Sequence, residues 1–298
     1  MTEPGVAVLT LVKGRDAHLR RVMAALERGT RRPDRLVVVD MGESPAAIGP
    51  TTLPLTLHRL PAAGLPLAAA RNAAARLAGM GPGTETGAET GAGAATLIFL
   101  DVDCIPAANL VAALAADVAA ADALVCPEIL YLPAGAADAP EARLRALGRR
   151  HHVRPFPAAG MRAEPNAGLF WSLAFAVRHA TFGRIGGFDA GYTGYGAEDT
   201  DFAFRARAAG VPLLFTASTV AFHQHHGVYD PPLQHFADIV ANASRFRERH
   251  GFWPMDGWLD AFARLGLIDP PGDGPLRVLR PPTAAEVAAA RQGPERVY

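Results

Sequence analysis

Two aspartates directly follow an apolar run in the first half of the chain. The stretch LIFLDVDCIP, residues 97–106, passes from four apolar residues to Asp101 and Asp103. Residues i and i+2 of a strand share a face, so both carboxylates could reach one divalent cation, or a ribose and a cation. Carboxylate oxygens suit Mg²⁺ or Mn²⁺, which proteins often share with substrate phosphates. A solvated acidic turn that caps the next helix is the alternative interpretation.

Three histidines lie within four residues in the second half. The sequence VAFHQHH places His223, His225 and His226 after a strand predicted to end near Phe222. Imidazole nitrogens bind Mn²⁺ and Zn²⁺. Histidines that hydrogen-bond to the backbone are the alternative for any single one, but three together favour at least one metal ligand. The HExxH spacing of a zinc hydrolase is absent.

Adjacent acids follow a glycine-rich turn in GYGAEDTDFAFR, residues 194–205. Glu198 and Asp199 begin a predicted helix, whose N-terminus favours negative charge. The simple interpretation is that these acids only stabilise the N-terminus of the helix. Two neighbouring carboxylates behind a Gly-Tyr-Gly turn also form a possible general base with a clamp for a substrate hydroxyl.

An arginine lies in the predicted helix after the third strand, within GLPLAAARN. A guanidinium beside a phosphate site is a good contact for a diphosphate or a base, which makes Arg71 a candidate ligand. A solvated helix arginine is the equal alternative.

Composition narrows the class of protein. The 298 residues contain 29 Lys+Arg and 29 Asp+Glu, so the net charge is zero, which argues against a nucleic-acid partner. Two cysteines provide no disulfide framework or cysteine-based zinc cluster. No signal peptide and no apolar run of spanning length is apparent, so we expect a soluble, cytoplasmic protein, with a location peripheral to a membrane as the alternative.

The elements that must position these residues alternate between strand and helix. Because the strands are apolar on both faces, the pattern predicts an α/β fold with a mostly parallel sheet covered by helices on both faces. Ligands of such sheets bind beyond the carboxyl ends of the strands, where Asp40 and Asp101 lie. The predicted strands are 6–12, 36–40, 55–60, 96–100, 123–130, 171–177 and 211–216; the predicted helices are 16–28, 65–78, 107–120, 141–150, 197–209, 232–250 and 256–265.

Two segments are predicted to be irregular. GPGTETGAETGAG, residues 81–93, is polar and of low complexity, which is typical of a surface loop. The proline-rich tail from Asp269 is predicted either to wrap over the protein or to be mobile.

The motifs together resemble a GT-A fold glycosyltransferase of family 2. VAVLTLVKGRDAHLRRVMAAL, LVVVDMGES, GLPLAAARNAA and FLDVDCIP occur in the family's order, and IGGFDAGYTGYGAEDTDFAFRARAAG is similar to the carboxyl-terminal motif of galactosyltransferases. VAFHQHH matches the family's closing histidine. The resemblance covers roughly residues 5–228. Two departures concern loops: DMGES is one residue longer than the usual D-x-G-S, and Ala197 replaces a glycine of the galactosyltransferase-type motif.

The resemblance implies a GT-A (Rossmann-like) domain with two halves. Residues 1–250 are the single glycosyltransferase domain, with a nucleotide-binding half (1–130) and an acceptor or catalytic half (131–228). Residues 251–298 are a carboxyl-terminal helix and a proline-rich tail.

The resemblance also implies roles for the nucleotide-binding residues. Thr10 and Val12 line the nucleotide pocket, and Asp40 bonds the base. Arg71 contacts base or diphosphate, and Asp101 approaches the ribose or the metal.

For the metal, the cofactor expected is Mn²⁺ or Mg²⁺. Asp103 is the carboxylate ligand, and His223 is the histidine ligand, with His225 the alternative. For the reaction, Asp199 is the catalytic base, Glu198 holds the acceptor hydroxyls, and Trp171 stacks on a sugar face.

The implied activity is inverting transfer of a hexose from a nucleotide-diphosphate sugar, with UDP favoured, to a hydroxyl of a glycan, lipid-linked or small-molecule acceptor. Other classes remain to be compared. A sugar nucleotidyltransferase needs a glycine-rich basic loop, of which LVKGRD supplies little, and a dehydrogenase needs a GxGxxG turn that is absent. An inactive nucleotide- or carbohydrate-binding domain of the same fold is the non-enzymatic alternative.

Overall fold

The computed structural model describes residues 5–79, 94–293 and 295–296. The loop predicted at 81–93 lies outside the described residues. Among the helices that the structure describes, none combines the length and the apolar character needed to cross a bilayer.

Parallel strands form the first part of the sheet. Strands that are buried on both faces are typical of parallel sheets, and the inner strands of this part are buried in that way. Parallel pairing joins β2 to β1, β1 to β4 and β2 to β3, so β3 is the edge. The strands and helices of this part are β1 (Val6–Val12), α1 (Asp16–Glu27), β2 (Arg35–Asp40), β3 (Leu55–Arg59), α2 (Leu67–Gly79) and β4 (Thr96–Leu100).

Antiparallel pairs enter in the second part of the sheet. The strand order is β3-β2-β1-β4-β9-β6-β10-β5, and β9 is antiparallel to both neighbours. The elements of this part are β5 (Cys104–Pro106), α3 (Leu110–Ala120), β6 (Leu124–Tyr131), α4 (Glu141–Leu147), β7 (Arg149–Arg150), β8 (Met161–Ala163), β9 (Ala174–Arg178), α5 (His179–Ile185), α6 (Glu198–Ala208) and β10 (Leu213–His223).

Helices cover both faces of this sheet, which confirms the predicted α/β class. One hydrophobic cluster joins α2 and α6 to one face through residues such as Ala74 and Phe202. A second joins α1 and α3 to the opposite face through residues such as Leu19 and Leu114.

A third hydrophobic cluster is built from the carboxyl-terminal elements α7 (Phe236–His250), α8 (Asp256–Arg264) and α9 (Ala284–Ala289). Buried residues of α7 and α8, among them Ile239 and Phe262, pack together with Leu267 and Ala290. The domain boundary predicted at residue 250 falls inside this cluster. The tail turns back onto the protein, where Arg291 pairs with Tyr229.

Several elements differ from the sequence-based expectation, among them the last strand and one short helix. The last strand was predicted for 211–216, with an end near Phe222 before the histidines; in the structure it runs as one strand to His223, because a bulge between Thr216 and Val220 keeps it paired with β6. The short helix α5 was not predicted. It is followed by Gly186, which has a φ of 90° and terminates the helix in the left-handed conformation.

Candidate active site

Register in the sheet brings the two motifs DVD and HQHH together. Strand β5 begins immediately after Asp103 and pairs antiparallel with β10, where Cys104 lies opposite His223. The amide of Gln224 also donates to the carbonyl of Asp103 at 2.6 Å. Asp103 and His223 are 120 positions apart in the chain. They lie side by side because the pairing of β5 with β10 fixes the positions of both motifs.

A cluster of possible metal ligands follows from this register. One ligand atom each from Asp103, His223 and His226 lies within 4.8 Å of the others. The structure does not bring His225 into this cluster. His225 instead lines a cavity of about 110 Å³ together with His18, Arg21 and Gln224, among other residues.

The atoms of this cluster suit a divalent cation. Asp103 Oδ1 and His223 Nδ1 are buried and have no hydrogen-bond partner, which is unusual for polar atoms in a folded protein. Burial lowers the pKa of His223 to about 3, against the opposing charge of Asp103, and burial also lowers the pKa of His226. Both imidazoles are therefore neutral at pH 7 and able to bind a metal. Arg15 forms an ion pair with Asp103 Oδ2.

Gln224 holds the segments around this cluster in place. Its buried side-chain amide donates to the carbonyl of Val102 at 3.2 Å and to that of His18 at 3.3 Å. The side chain thus links the end of β10 to the aspartate turn and to the start of α1.

A chain of charges runs from the aspartate turn to α6. The buried guanidinium of Arg71 donates to Glu198 Oε1 at 2.9 Å and to Asp101 Oδ1 at 3.4 Å. Burial raises the pKa of Asp101 to about 6, partly opposed by Arg71. Arg71 therefore joins α2, the aspartate turn and the first residue of α6 at the ends of the strands.

Asp199 lies next to Glu198 in a different environment. Its carboxylate accepts from the backbone amides of Thr200 at 2.7 Å and Ser172 at 3.4 Å, and no cation pairs with it among the described residues. Burial, with a further contribution from the charge of Glu198, raises the pKa of Asp199 to about 7. A carboxylate with that pKa can accept a proton near neutral pH.

The turn before α6 is held from outside by α7. Asn242 donates to the carbonyls of Thr193 and Gly196, each at 2.9 Å. Ala197 has a φ of 67°, in the left-handed region that disfavours a side chain. The galactosyltransferase-type motif has a glycine at this position. In this chain Ala197 takes its place, although the backbone conformation is one that favours glycine.

Asp201, the third acid of the motif, has a structural environment. It is fully buried and forms ion pairs with Arg205, Arg249 and His250 at 2.7–2.9 Å. Burial alone would raise the pKa of Asp201, but these partners lower it. Asp201 thus connects α6 to α7 rather than facing the strand ends.

Three predicted nucleotide contacts lie deep in the sheet. Thr10 and Val12 are buried in β1, and Thr10 Oγ1 has no hydrogen-bond partner. Asp40 is fully buried and accepts from the amides of Gly42 at 2.8 Å and Ala46 at 2.7 Å. Its carboxylate also pairs with Arg59, so the carboxylate oxygens already have partners within the protein. Contact of these three residues with a nucleotide stays a prediction.

Trp171 lies next in sequence to a residue that contacts Asp199. It directly precedes Ser172, whose amide contacts Asp199, and its half-buried ring lies 4.8 Å from the Cζ atom of Arg154. His151 packs edge-on against the same ring at 4.7 Å. Stacking of Trp171 on a sugar stays a prediction.

Sequence reasoning missed several residues of this site. Nothing in the HQHH pattern separates His226 from His225, because which one faces Asp103 depends on how the chain turns after β10. Arg15 and Gln224 were not considered as site residues, since their partners are distant in sequence. Asn242 gave no signal at all.

Comparison with known proteins agrees with this geometry. Residues 163–226 match the family model described as the N-terminal domain of galactosyltransferase. That range contains the acidic motif of α6 and the histidines after β10. The resemblance to galactosyltransferases seen in the sequence is therefore confirmed for this part of the chain.

Two curated relatives match a short part of the chain. The validoxylamine A glucosyltransferase of Streptomyces hygroscopicus subsp. jinggangensis (strain 5008) is 30% identical over 82 residues, which are 27% of this chain and 19% of that protein. The protein of the same name from Streptomyces hygroscopicus subsp. limoneus is 29% identical over 82 residues. The matched region spans only about a fifth of the length of these relatives.

Solved structures match over most of the chain. The crystal structure of GalNAc-T7 with UDP, GalNAc and Mn²⁺ superposes with a TM-score of 0.54 at 16% identity, covering 91% of this chain and 59% of that one. Staphylococcus aureus TarS superposes with a TM-score of 0.51 at 13% identity, covering 87% of this chain and 45% of that one. The protein therefore has the GT-A fold of glycosyltransferases, as predicted. Its placement in family 2 stays a prediction.

Proposed function

We propose that the protein is a metal-dependent, inverting glycosyltransferase that moves a hexose from a nucleotide-diphosphate sugar to an acceptor hydroxyl. The observation that carries the proposal is Asp199, a carboxylate with a pKa raised to about 7 beside the strand ends where the cluster of Asp103, His223 and His226 lies. The galactosyltransferase match over 163–226 and the glucosyltransferase relatives support transfer of a hexose.

The donor side of the site is the first half of the proposal. Asp103 and His223, with His226, would hold Mn²⁺ or Mg²⁺. Such an ion offsets the negative charge that develops on the phosphates of a departing nucleoside diphosphate. Arg15 lies beside Asp103 with 36% of its side chain exposed, so its guanidinium is available to contact phosphate oxygens when a donor binds. Arg71 is buried beside Asp101 and would reach a phosphate only by giving up that contact.

The acceptor side is the second half. Asp199 takes the proton of the acceptor hydroxyl while the oxygen of that hydroxyl forms a bond to the anomeric carbon. The bond from that carbon to the phosphate oxygen breaks, and the nucleoside diphosphate leaves with the electron pair. A single displacement from the opposite face inverts the configuration and needs no covalent enzyme intermediate, in contrast to the two-step reaction of retaining glycosidases.

Glu198 is proposed to orient the acceptor, and Trp171 to stack on it. Glu198 is fixed by Arg71 at 2.9 Å, which keeps its second oxygen available for hydroxyl groups. Trp171 is half-buried on the far side of Asp199 and offers a ring face of the kind that carbohydrates contact.

UDP is the proposed donor nucleotide, because the structural neighbour GalNAc-T7 was solved with UDP and Mn²⁺. The acceptor is proposed only as a class: a glycan, a lipid-linked glycan or a small molecule with a free hydroxyl. We also place the protein in the cytoplasm, since Cys104 and Cys126 are both buried free thiols, as expected in a reducing compartment.

The test is release of nucleoside diphosphate from a panel of UDP-, GDP- and dTDP-hexoses with Mn²⁺. We expect release for one nucleotide class, loss of release in excess EDTA, and a product of inverted anomeric configuration by NMR. Formation of a nucleotide sugar from a nucleoside triphosphate and a sugar phosphate would instead identify a nucleotidyltransferase. Donor binding without any turnover would indicate an inactive binding domain.

A further inference from the structure

A fourth possible ligand lies beside the proposed metal cluster. His18, in the first turn of α1, places its Nε2 atom 3.8 Å from Asp103 Oδ1. His226 places its Nε2 atom 3.8 Å from Asp103 Oδ2. The two imidazoles therefore approach the two oxygens of one carboxylate, and neither distance is short enough for a hydrogen bond.

The atoms that face each other here have no other partner. His18 Nε2, Asp103 Oδ1 and His223 Nδ1 are all buried and without a hydrogen-bond partner in the described residues. Buried polar atoms normally have partners, so three of them around one carboxylate need an explanation. Two ligands at about 2.1 Å from one ion lie no more than about 4.2 Å apart, and the 3.8 Å between His18 Nε2 and Asp103 Oδ1 meets that limit. His18 lies outside the group of Asp103, His223 and His226 whose ligand atoms are within 4.8 Å of one another, so its side chain would move towards the two histidines when an ion binds.

We propose that His18 is a direct ligand of the divalent cation, which makes the site three imidazoles and one carboxylate. The inference rests on the proposed function only in assuming that this cluster binds a cation. His18 lies 85 residues before Asp103, in the stretch VAVLTLVKGRDAHLRRVMAAL, and outside the DVD and HQHH motifs that pointed to a metal site.

The surrounding structure keeps His18 in position for this role. Gln224 donates to the carbonyl of His18 at 3.3 Å and to that of Val102 at 3.2 Å, so α1 and the aspartate turn share one anchor. The backbone amide of the same glutamine donates to the carbonyl of Asp103.

The proposed ligand set implies a choice of metal. Mg²⁺ prefers oxygen ligands, whereas imidazole nitrogens suit Mn²⁺ and the later transition metals. Three nitrogens and one carboxylate therefore favour Mn²⁺ over Mg²⁺ more strongly than a site with two imidazoles would. Arg15, whose side chain is 36% exposed, must leave Asp103 Oδ2 when the ion binds, and its exposure allows that movement.

The experiment measures binding of Mn²⁺ and of Mg²⁺ to the full chain by calorimetry, without donor or acceptor. In His18→Ala we expect Mn²⁺ affinity to fall on the order of 10–100-fold, and Mg²⁺ affinity to change much less. His225→Ala is the matched control, because His225 is a neighbouring histidine outside the cluster; it should bind Mn²⁺ like the wild type. His18→Gln, which keeps most of the side-chain volume, should show the same loss as His18→Ala.

Pulsed EPR of bound Mn²⁺ separates direct ligation from an indirect effect. The wild type should show coupling to three imidazole nitrogens and both His18 variants to two. Unchanged Mn²⁺ affinity in the His18 variants, or weaker binding with an unchanged nitrogen count, overturns the proposal.

The variant Asp103→Asn distinguishes a failure of the His18 proposal from a failure of the proposed metal site. If Asp103→Asn abolishes binding while the His18 variants bind normally, only the role of His18 is wrong. If Asp103→Asn and the His18 variants all bind Mn²⁺ like the wild type, both this inference and the metal site of the proposed function are wrong.

Discussion

At the residue scale, two aspartates on one helix have opposite pKa shifts because their surroundings differ. Asp199 and Asp201 are two residues apart in α6, and both belong to the acidic motif. Burial without a paired cation raises the pKa of Asp199 to about 7. Hydrogen bonds from Arg205, His250 and Arg249 lower the pKa of Asp201 despite its burial. One carboxylate is therefore held ready to accept a proton, and the other stabilises the fold.

The first prediction compares the same substitution at both positions. Unfolded Asp199 ionises near pH 3.8 and folded Asp199 near 7, so its ionisation costs folding free energy as pH rises through that window. Asp199→Asn should raise the free energy of unfolding at pH 8, on the order of 1–3 kcal/mol. Asp201→Asn should lower it by about 1.5–3 kcal/mol, because the buried side chain loses its charge-assisted hydrogen bonds to Arg205 and Arg249. Urea denaturation measures both, and equal signs for the two variants would contradict the assigned environments.

The second prediction concerns the rate of transfer. Asp199→Asn should lower kcat by about 10²–10⁴-fold, the usual contribution of a general base, while the donor still binds. In the wild type, kcat/KM should fall as pH decreases through about 7, since the protonated carboxyl cannot accept a proton. Full activity of Asp199→Asn in a single-turnover assay would remove the residue from the mechanism.

Residue types were enough to predict Asp103, His223, Glu198 and Asp199 as candidates, because each belongs to a short pattern with a chemical meaning; their roles stay predictions. Patterns could not separate His225 from His226, since that choice depends on the path of the chain after β10. Environments such as the enclosed carboxylate of Asp40 were also invisible, because its partner Arg59 comes from a different strand.

At the element scale, the turn before α6 depends on α7. Asn242 holds two carbonyls of the turn, and Asp238 Oδ2 accepts from the amide of Tyr195 at 3.3 Å. The carboxyl-terminal cluster of α7, α8 and α9 therefore supports the elements that carry Glu198 and Asp199, although it provides none of the predicted site residues.

The third prediction uses two glycines with the same backbone conformation. Gly194 and Gly210 have φ angles of 74° and 73°. A Cβ atom at Gly194 would lie 2.1 Å from Cγ of Asp238, whereas at Gly210 it would meet nothing within 4 Å. Gly210→Ala should cost about 1 kcal/mol from backbone strain alone. Gly194→Ala should cost about 1 kcal/mol more, because Asp238 must move and lose its bond to Tyr195.

Activity gives a second measurement on the same pair of glycines. Gly194→Ala should lower kcat/KM for transfer, and Gly210→Ala should not, because only the first turn leads into the catalytic helix. Equal losses of stability and activity in the two variants would show that contact with α7 does not matter.

Apolar runs predicted most elements of the first half, because parallel strands buried on both faces have a simple pattern. The antiparallel insertion of β9 between β4 and β6 could not be predicted, since strand pairing depends on contacts far apart in sequence. The bulge that extends β10 to His223 was missed for the same reason.

At the scale of the whole molecule, the proposed metal site joins the two halves of the chain. Asp103 comes from the first half, and His223 and His226 from the second. A ligand that binds only the folded protein stabilises it according to its concentration relative to Kd, by about 2.7 kcal/mol at 100 Kd.

The fourth prediction follows from that linkage. Saturating Mn²⁺ should raise the Tm of the wild type by about 5 °C or more, and EDTA should reverse the shift. The substitution Asp103→Asn should remove the shift, while His225→Ala should keep it. A shift that survives in Asp103→Asn would place the bound ion elsewhere in the protein.

The position of β9 also has a consequence for synthesis of the chain. Strand β4 is complete at Leu100, but its partner β9 begins only at Ala174, so a nascent chain carries β4 as an open sheet edge until then. Open apolar edges recruit strands from other chains. The first 130 residues, expressed alone, should therefore self-associate, and light scattering of that fragment against the full chain measures it.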